Sequence, residues 1–330
     1  MTTTATPAGS TATPDRRANP RLLVGLVLGI PTVIALMLLA FAAPAIHSGA
    51  TDLPLAVSGP APVVAQLTGT LEKNAPGTFD VTTYGSADEA AAAIRDREAV
   101  GGLAAGPTGL TIQTAAGAGA PYAALLRGMG AQLSATGRPV TYTELAPLPA
   151  SDPAGAGLTT LGLPLIFGGM ATAAALVLAY RGSVGARLLT LLAVAAVGGL
   201  AATAILQFGF GVLEGDYLLT SAAVAAGIAA VSATVLGLGL LLGTAGIGLG
   251  AVLMLFVANP ISGLATGPAW LPQPWGQIGQ FLPLGAAGTA LRSAAYFDGA
   301  GAGRAWMVLA CWIVGGLLLA ALAGRRTGRR

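Results

Sequence analysis

The chain has 330 residues, of which 54% are apolar and only 9% charged, with a formal net charge of +3. That length could make two soluble domains, but soluble domains carry about 25% charged residues, and this chain could not cover their surfaces. Composition excludes an ordinary soluble protein and, with a mean hydropathy of +0.75, points to helices of about 20 apolar residues that cross ~30 Å of hydrocarbon.

In chain order, residues 1–20 read as a disordered cytoplasmic tail rich in Thr, Ala and Pro. Residues 21–46 hold the first span, Leu22–Ile46. A cleaved signal peptide is the alternative, since the start is basic and Ala43, Ala45 and Gly49 follow. Leu22–Ala43 is, however, far longer than a signal h-region of about 7–15 residues. The Ala-Asn-Pro after Arg16-Arg17 does not support a twin-arginine signal. An uncleaved anchor is expected.

Residues 47–157 differ: most of the acids fall here and the apolar runs shorten. The pattern predicts strands at Leu53–Val57, Phe79–Tyr84 and Val140–Leu145, helices at Pro62–Leu71 and Pro121–Ala135, and a strand pair Gly101–Ala105 and Leu110–Thr114 around Gly106, Pro107 and Gly109. Ser86 followed by Glu89 is a capping-box pattern that starts another helix through Ile94. Asp88, Glu89, Asp96 and Glu98, interleaved with Arg95 and Arg97, read as a solvated helix face and not a catalytic carboxylate cluster. The expectation is an inserted extracytoplasmic α+β domain, large enough for its own core. It suits binding or assembly better than catalysis, because no nucleophile elbow occurs in it.

Five further spans are expected over residues 158–324: Leu158–Tyr180, Leu188–Phe210, Leu218–Leu242, Ala245–Val257 with its flanks, and Ala305–Ala323. The fold class expected is thus a membrane all-α bundle of six transmembrane helices carrying that domain. The joint at Gly243–Gly246 is the open point, for the fourth and fifth candidates read as one segment would leave five spans. Gly239 with Gly243, and Gly246 with Gly250, are small-xxx-small pairs that let helices approach closely. They indicate tight packing or a homodimer seam. The spans hold no interior Asp, Glu, Lys or Arg, so a proton-coupled pump or voltage sensor lacks its usual parts.

The stretch 259–304 is too apolar for an ordinary loop and too broken by Pro to cross. It contains Trp270, Trp275, Phe281 and Pro283, then a short helix over Ala286–Tyr296 with Arg292. Trp and Tyr favour the membrane interface, and irregular backbone at membrane depth must be buried in protein or line a cavity. A re-entrant or interfacial element follows, with Trp270, Trp275, Phe281, Pro283, Arg292 and Tyr296 as the candidate outer gate. Arg292 could pair with an anionic lipid or substrate group, or snorkel to the interface.

Charge sets the orientation, because cytoplasmic flanks carry excess Lys and Arg. Arg16, Arg17 and Arg21, then Arg181 and Arg187, then the basic tail 325–330 with Arg325, Arg326, Arg329 and Arg330 all fall on one side if there are six spans. Glu214 and Asp216 fall on the other. Both termini are therefore expected in the cytoplasm, with Arg181 and Arg187 as candidate cytoplasmic contacts. The single Lys73 among abundant Arg, Ala and Gly suggests a GC-rich bacterial genome, hence a bacterial cytoplasmic membrane. Cys311 is alone and His47 is the only histidine, so no metal site and no cofactor is expected, nor a nucleic-acid partner. The partner foreseen on composition is membrane lipid.

One span, an external domain, five more spans and a re-entrant segment before the last resembles the membrane subunits of type 2 ABC exporters. It also resembles their relatives with large external domains, such as the phage infection protein family. The residues carrying the resemblance are Gln280-Phe281-Leu282-Pro283-Leu284-Gly285, Ala290-Leu291-Arg292 and Tyr296-Phe297, with Asp152-Pro153-Ala154-Gly155-Ala156-Gly157 ahead of the second span. It covers the chain beyond the tail. The resemblance implies a dimeric exporter subunit working with a separate cytoplasmic ATPase, since no Walker A pattern occurs. Two features depart from it. Pro14–Arg21 is short for an amphipathic helix, and the loop Arg181–Arg187 is short for an ATPase dock.

Overall fold

The chain is a membrane protein with several apolar helices: five are long and apolar enough to cross a bilayer. The computed structural model describes residues 20–135 and 137–327. The tail over 1–19 with Arg16 and Arg17, and Arg329 and Arg330, lie outside the described residues, as do the side chains of Arg21 and Arg326.

The first helix, α1 (Pro20–Ile46), is uninterrupted by any charge after Arg21. Its stretch to Leu39 forms a unit of its own. Leu23, Val27, Ile34 and Leu38 there are all exposed. An all-round apolar surface belongs in lipid.

The α/β domain follows. Its elements are β1 (Leu53–Ser58), α2 (Ala61–Asn74), β2 (Phe79–Tyr84), α3 (Ala87–Arg95), β3 (Gly101–Gly106), β4 (Gly109–Thr114), α4 (Ala120–Ala135) and β5 (Val140–Glu144). The five strands form one sheet in the order β2-β1-β3-β4-β5. The chain is parallel at β1–β2, β1–β3 and β4–β5, with Leu55 opposite both Val81 and Gly101. Only the tight β3–β4 hairpin is antiparallel. Helices therefore serve as crossovers between parallel strands, and the domain is α/β with a mixed sheet rather than α+β. One sheet face packs Leu55, Val57, Leu103 and Ile112 beneath Leu67 of α2 and Leu126 of α4. The other face is small: Ala56 meets Ala90 and Ile94 of α3, and the layer is completed by Phe297 from far along the chain. At the start of α3 the Ser86 hydroxyl accepts the Glu89 amide at 3.1 Å. The Glu89 carboxylate accepts the amide of Gly85, one residue earlier than a capping box uses.

The membrane part comprises α5 (Ala156–Thr160), α6 (Gly162–Leu178), α7 (Val184–Ala204), α8 (Tyr217–Leu242), α9 (Thr244–Ala251), α10 (Trp275–Gly279), α11 (Pro283–Tyr296) and α12 (Gly303–Thr327). α8 is the hub: α6, α7, α9, α11 and α12 all pack on it, and 72% of its most apolar stretch is buried. A helix hydrophobic all round is a buried one. Small residues set the crossings. A Cβ on Gly199 would stand 2.6 Å from the Ser221 carbonyl, and one on Gly237 2.7 Å from that of Gly316. Main chains meet where side chains vanish.

Gly243 turns α8 into α9 at φ +64° and ψ −141°, a conformation that side chains resist. α9 then lies back on α8, with Gly246 against the Leu238 carbonyl and Gly250 against Val235, while Gly239 faces Val177 of α6. The candidate packing glycines Gly239, Gly246 and Gly250 thus meet neighbours in their own chain. α9 widens into a π-helix over Val252–Ala258. The apolar helix Thr244–Ala258 is shorter than the five long ones. At about 1.5 Å per residue it would measure roughly 22 Å, less than the ~30 Å hydrocarbon core.

Candidate functional site: the junction of the α/β domain with residues 259–303

Residues 259–303 form the surface on which the α/β domain sits. Pro283 opens α11 as its first residue, where a missing amide costs nothing. α11 then packs against α8 and α12, with Leu284, Ala286, Ala287, Ala290, Leu291 and Ala294 all buried. Its small side chains let it slot between longer helices.

Side chains from both parts key the domain to this surface. Tyr122 of α4 is 2% exposed. Its hydroxyl accepts the Trp270 amide at 3.1 Å, and its ring meets the Trp270 indole edge-on at 5.7 Å between centroids. The Trp270 carbonyl in turn accepts the Gly49 amide at 2.9 Å, just beyond α1. Arg97, held at φ +64° after α3, donates from Nη1 to the Thr289 carbonyl of α11 at 2.9 Å. Its guanidinium also lies over the Phe297 ring at 5.4 Å, a cation–π contact. Tyr296 packs against Gly117, where a Cβ would fall 2.6 Å from that of the tyrosine. The Tyr296 hydroxyl reaches the Val212 carbonyl at 3.1 Å, so one residue ties the sheet domain to the α7–α8 connection.

A polar thread runs beneath. The Thr289 hydroxyl donates to Gln280 Oε1 at 2.6 Å, and Gln280 Nε2 donates to the Ser262 carbonyl at 3.1 Å. Burial pushes the Tyr122 phenol up to about 12. Burial, with the nearby Arg292 charge, brings the Arg97 guanidinium down to about 10. Across neutral pH the junction therefore keeps Tyr122 neutral and Arg97 charged.

Arg292 stands at its centre. The side chain is 2% exposed, so it does not snorkel to a surface. Its Nη2 donates to the Leu264 carbonyl at 3.0 Å, while its Nε is buried without a partner. The only ion pair among the described residues joins Arg127 and Glu144. No carboxylate balances Arg292.

The other sequence-selected residues lie apart. Trp275 and Phe281 are 50% and 53% exposed. Arg304 covers the Phe281 ring at 4.4 Å, and the Trp312 indole donates to the Phe281 carbonyl at 2.7 Å. Trp270, Arg292 and Tyr296 come together at the junction; Trp275 and Phe281 face outward. Asp152 of the Asp-Pro-Ala-Gly run is buried and caps α5, its two oxygens accepting the amides of Ala156 and Gly157. Far from the junction, Arg187 lies in the first turn of α7. It donates to the Tyr180 carbonyl at 2.6 Å and stacks over the Tyr180 ring, while Arg181 is exposed. The loop left between α6 and α7 is only residues 179–183.

Two junction residues escape sequence reasoning. Arg97 belongs to a charge run read as a solvated face, and the structure corrects that reading: it turns away from Asp96 and Glu98, which are exposed, into the junction. Tyr122 reads as one of several core residues at helical spacing; its hydroxyl, which a buried tyrosine must satisfy, was the available signal. In comparison with known proteins, no family, no curated protein and no solved structure matches this chain.

Proposed function

We propose that this protein is the membrane subunit of an ABC-type exporter, a dimer in the bacterial cytoplasmic membrane with both termini inside and the α/β domain outside. Six crossings are required for that topology, the sixth made by Thr244–Ala258 and the turn that follows it. The observation that carries the reading is the keyed junction. A domain hung on flexible linkers could only present itself, whereas Arg97, Tyr122 and Gly117 grip residues 259–303. Movement of the domain and of that segment is then one movement, which suits alternating exposure of a path gated at residues 259–303.

A second reading has its own support. The α6–α7 loop is five residues, 179–183, and Arg187 is spent on Tyr180, which leaves little for an ATPase to grip. A non-transporting anchor or assembly factor, presenting the α/β domain to envelope or secretion partners, needs no such dock. Co-purification separates the two. The exporter reading expects a gently solubilised, tagged protein to bring down an ATPase, and Arg187→Glu to weaken that capture. Recovery of envelope proteins with no ATPase would favour the anchor.

A further inference from the structure

The turn from α11 into α12 holds one charged residue in a fixed place. The Phe297 and Gly299 amides both donate to the Ser293 carbonyl at 3.0 Å, and the Ala300 amide donates to the Phe297 carbonyl at 2.8 Å. The buried Ser293 hydroxyl donates to the Ala300 carbonyl. Between these ties Asp298 sits at φ +50°, a left-handed conformation that aspartate visits more readily than most residues. Gly301, at φ +68°, lies so close to the end of α3 that a Cβ would fall 2.7 Å from the Asp96 carbonyl.

The turn and the end of α3 together border a cavity of about 560 Å³, whose lining includes Arg95, Leu145, Tyr296, Phe297, Asp298 and Ala300. That is within the usual size for a small-molecule site, about 300–1,000 Å³. Two of these residues carry full charges of opposite sign. Arg95 is the last residue of α3, where the helix dipole favours a cation, and Asp298 comes from the turn. Among the described residues, neither side chain makes an ion pair, a hydrogen bond or a ring contact, with the other or with any third group. Arg97 is already engaged with the Thr289 carbonyl and the Phe297 ring. Opposite charges that share a cavity without closing on each other leave room for a ligand that brings the complementary pair, and Leu145, Phe297 and Ala300 give its body an apolar wall.

We propose that this cavity binds a small zwitterion with an apolar body, of the free amino-acid or dipeptide class. Its carboxylate pairs with the Arg95 guanidinium and its ammonium with the Asp298 carboxylate, two charge-assisted hydrogen bonds. Arg95 and Leu145 belong to the α/β domain, and Tyr296 to Ala300 to the segment 259–303, so the ligand bridges the two sides of the junction. The site requires neither an ATPase nor transport, and stands whether the protein exports or anchors.

The test is isothermal titration calorimetry of the full-length protein in neutral detergent. The probes are L-leucine and L-leucyl-L-leucine, with the N-acetyl and methyl ester form of each as controls. Wild type is expected to bind at least one of the two zwitterions, and capping either end to weaken binding about tenfold, the scale of one lost hydrogen bond to a charged group. Asp298→Asn, which suits the same backbone conformation, should lower the affinity for the zwitterion about tenfold and leave that for the N-acetyl form unchanged. Arg95→Gln should do the same with the methyl ester as the indifferent ligand. Both side chains are exposed, so neither change should unfold the protein. An equal loss for every ligand in either variant would report a merely structural role and overturn the proposal. So would the failure of wild type to bind either zwitterion, or binding that either variant leaves unchanged.

Discussion

Tyr122 has two tasks that a single substitution separates. Its ring packs on Trp270 and its hydroxyl satisfies the Trp270 amide. Tyr122→Phe keeps the first and leaves a buried amide without an acceptor, which costs about 1–3 kcal/mol. Thermal unfolding of the purified protein should show a lower midpoint than wild type. Gly117 tests the same seam sterically. A methyl there would fall 2.6 Å from the Tyr296 Cβ, so Gly117→Ala should destabilise, whereas Gly128→Ala on α4 meets open space and should be neutral or stabilise by up to about 1 kcal/mol. How legible were these residues? Tyr296 and Arg292 stand out in the sequence because Pro and aromatic residues surround them. Arg97 does not: Arg95-Asp96-Arg97-Glu98 reads the same whether each charge is solvated or one is buried, and the partner that decides it, Thr289, lies 192 residues away.

At the scale of elements, local pattern carries a long way. Phe79–Tyr84 alternates as an exposed-edge strand should, and the structure has a strand with those bounds. Pro107 between Gly106 and Gly109 marks a hairpin that indeed forms. What pattern could not supply was pairing. β1 lies between β2 and β3 and is parallel to both, a choice made by the crossover helices and not by the strand residues, so the mixed α/β sheet was invisible while its strands were plain. The π-helical stretch Val252–Ala258 was equally hidden, because a widened turn leaves the same run of apolar residues. Gly243 gives this scale its prediction. Its backbone sits where only glycine is at ease, so Gly243→Ala should cost about 1–3 kcal/mol, read as a lowered unfolding midpoint in detergent. Gly248→Ala, in the open on α9, should leave the midpoint unchanged or raise it.

For the whole molecule, composition alone announces a membrane protein, and α8 shows how it is assembled: one central helix, with small residues at each crossing in place of a hydrophobic drive that lipid cannot supply. The count of crossings depends on Thr244–Ala258. A single cysteine introduced at Thr244 or Ala245, in a Cys311→Ser background, should be labelled only from the cytoplasmic side if the chain crosses six times. Absence of labelling from either side would favour five. The account's central claim, however, is that the α/β domain and residues 259–303 are one energetic unit. A double-mutant cycle tests it most directly, with Tyr122→Leu, Trp270→Leu and the double variant unfolded in mixed micelles. The aromatic pair and its hydrogen bond predict that the two changes are non-additive by at least about 0.5–1.5 kcal/mol. Additivity within roughly 0.3 kcal/mol would mean that the domain merely rests on the membrane helices, and would contradict the account.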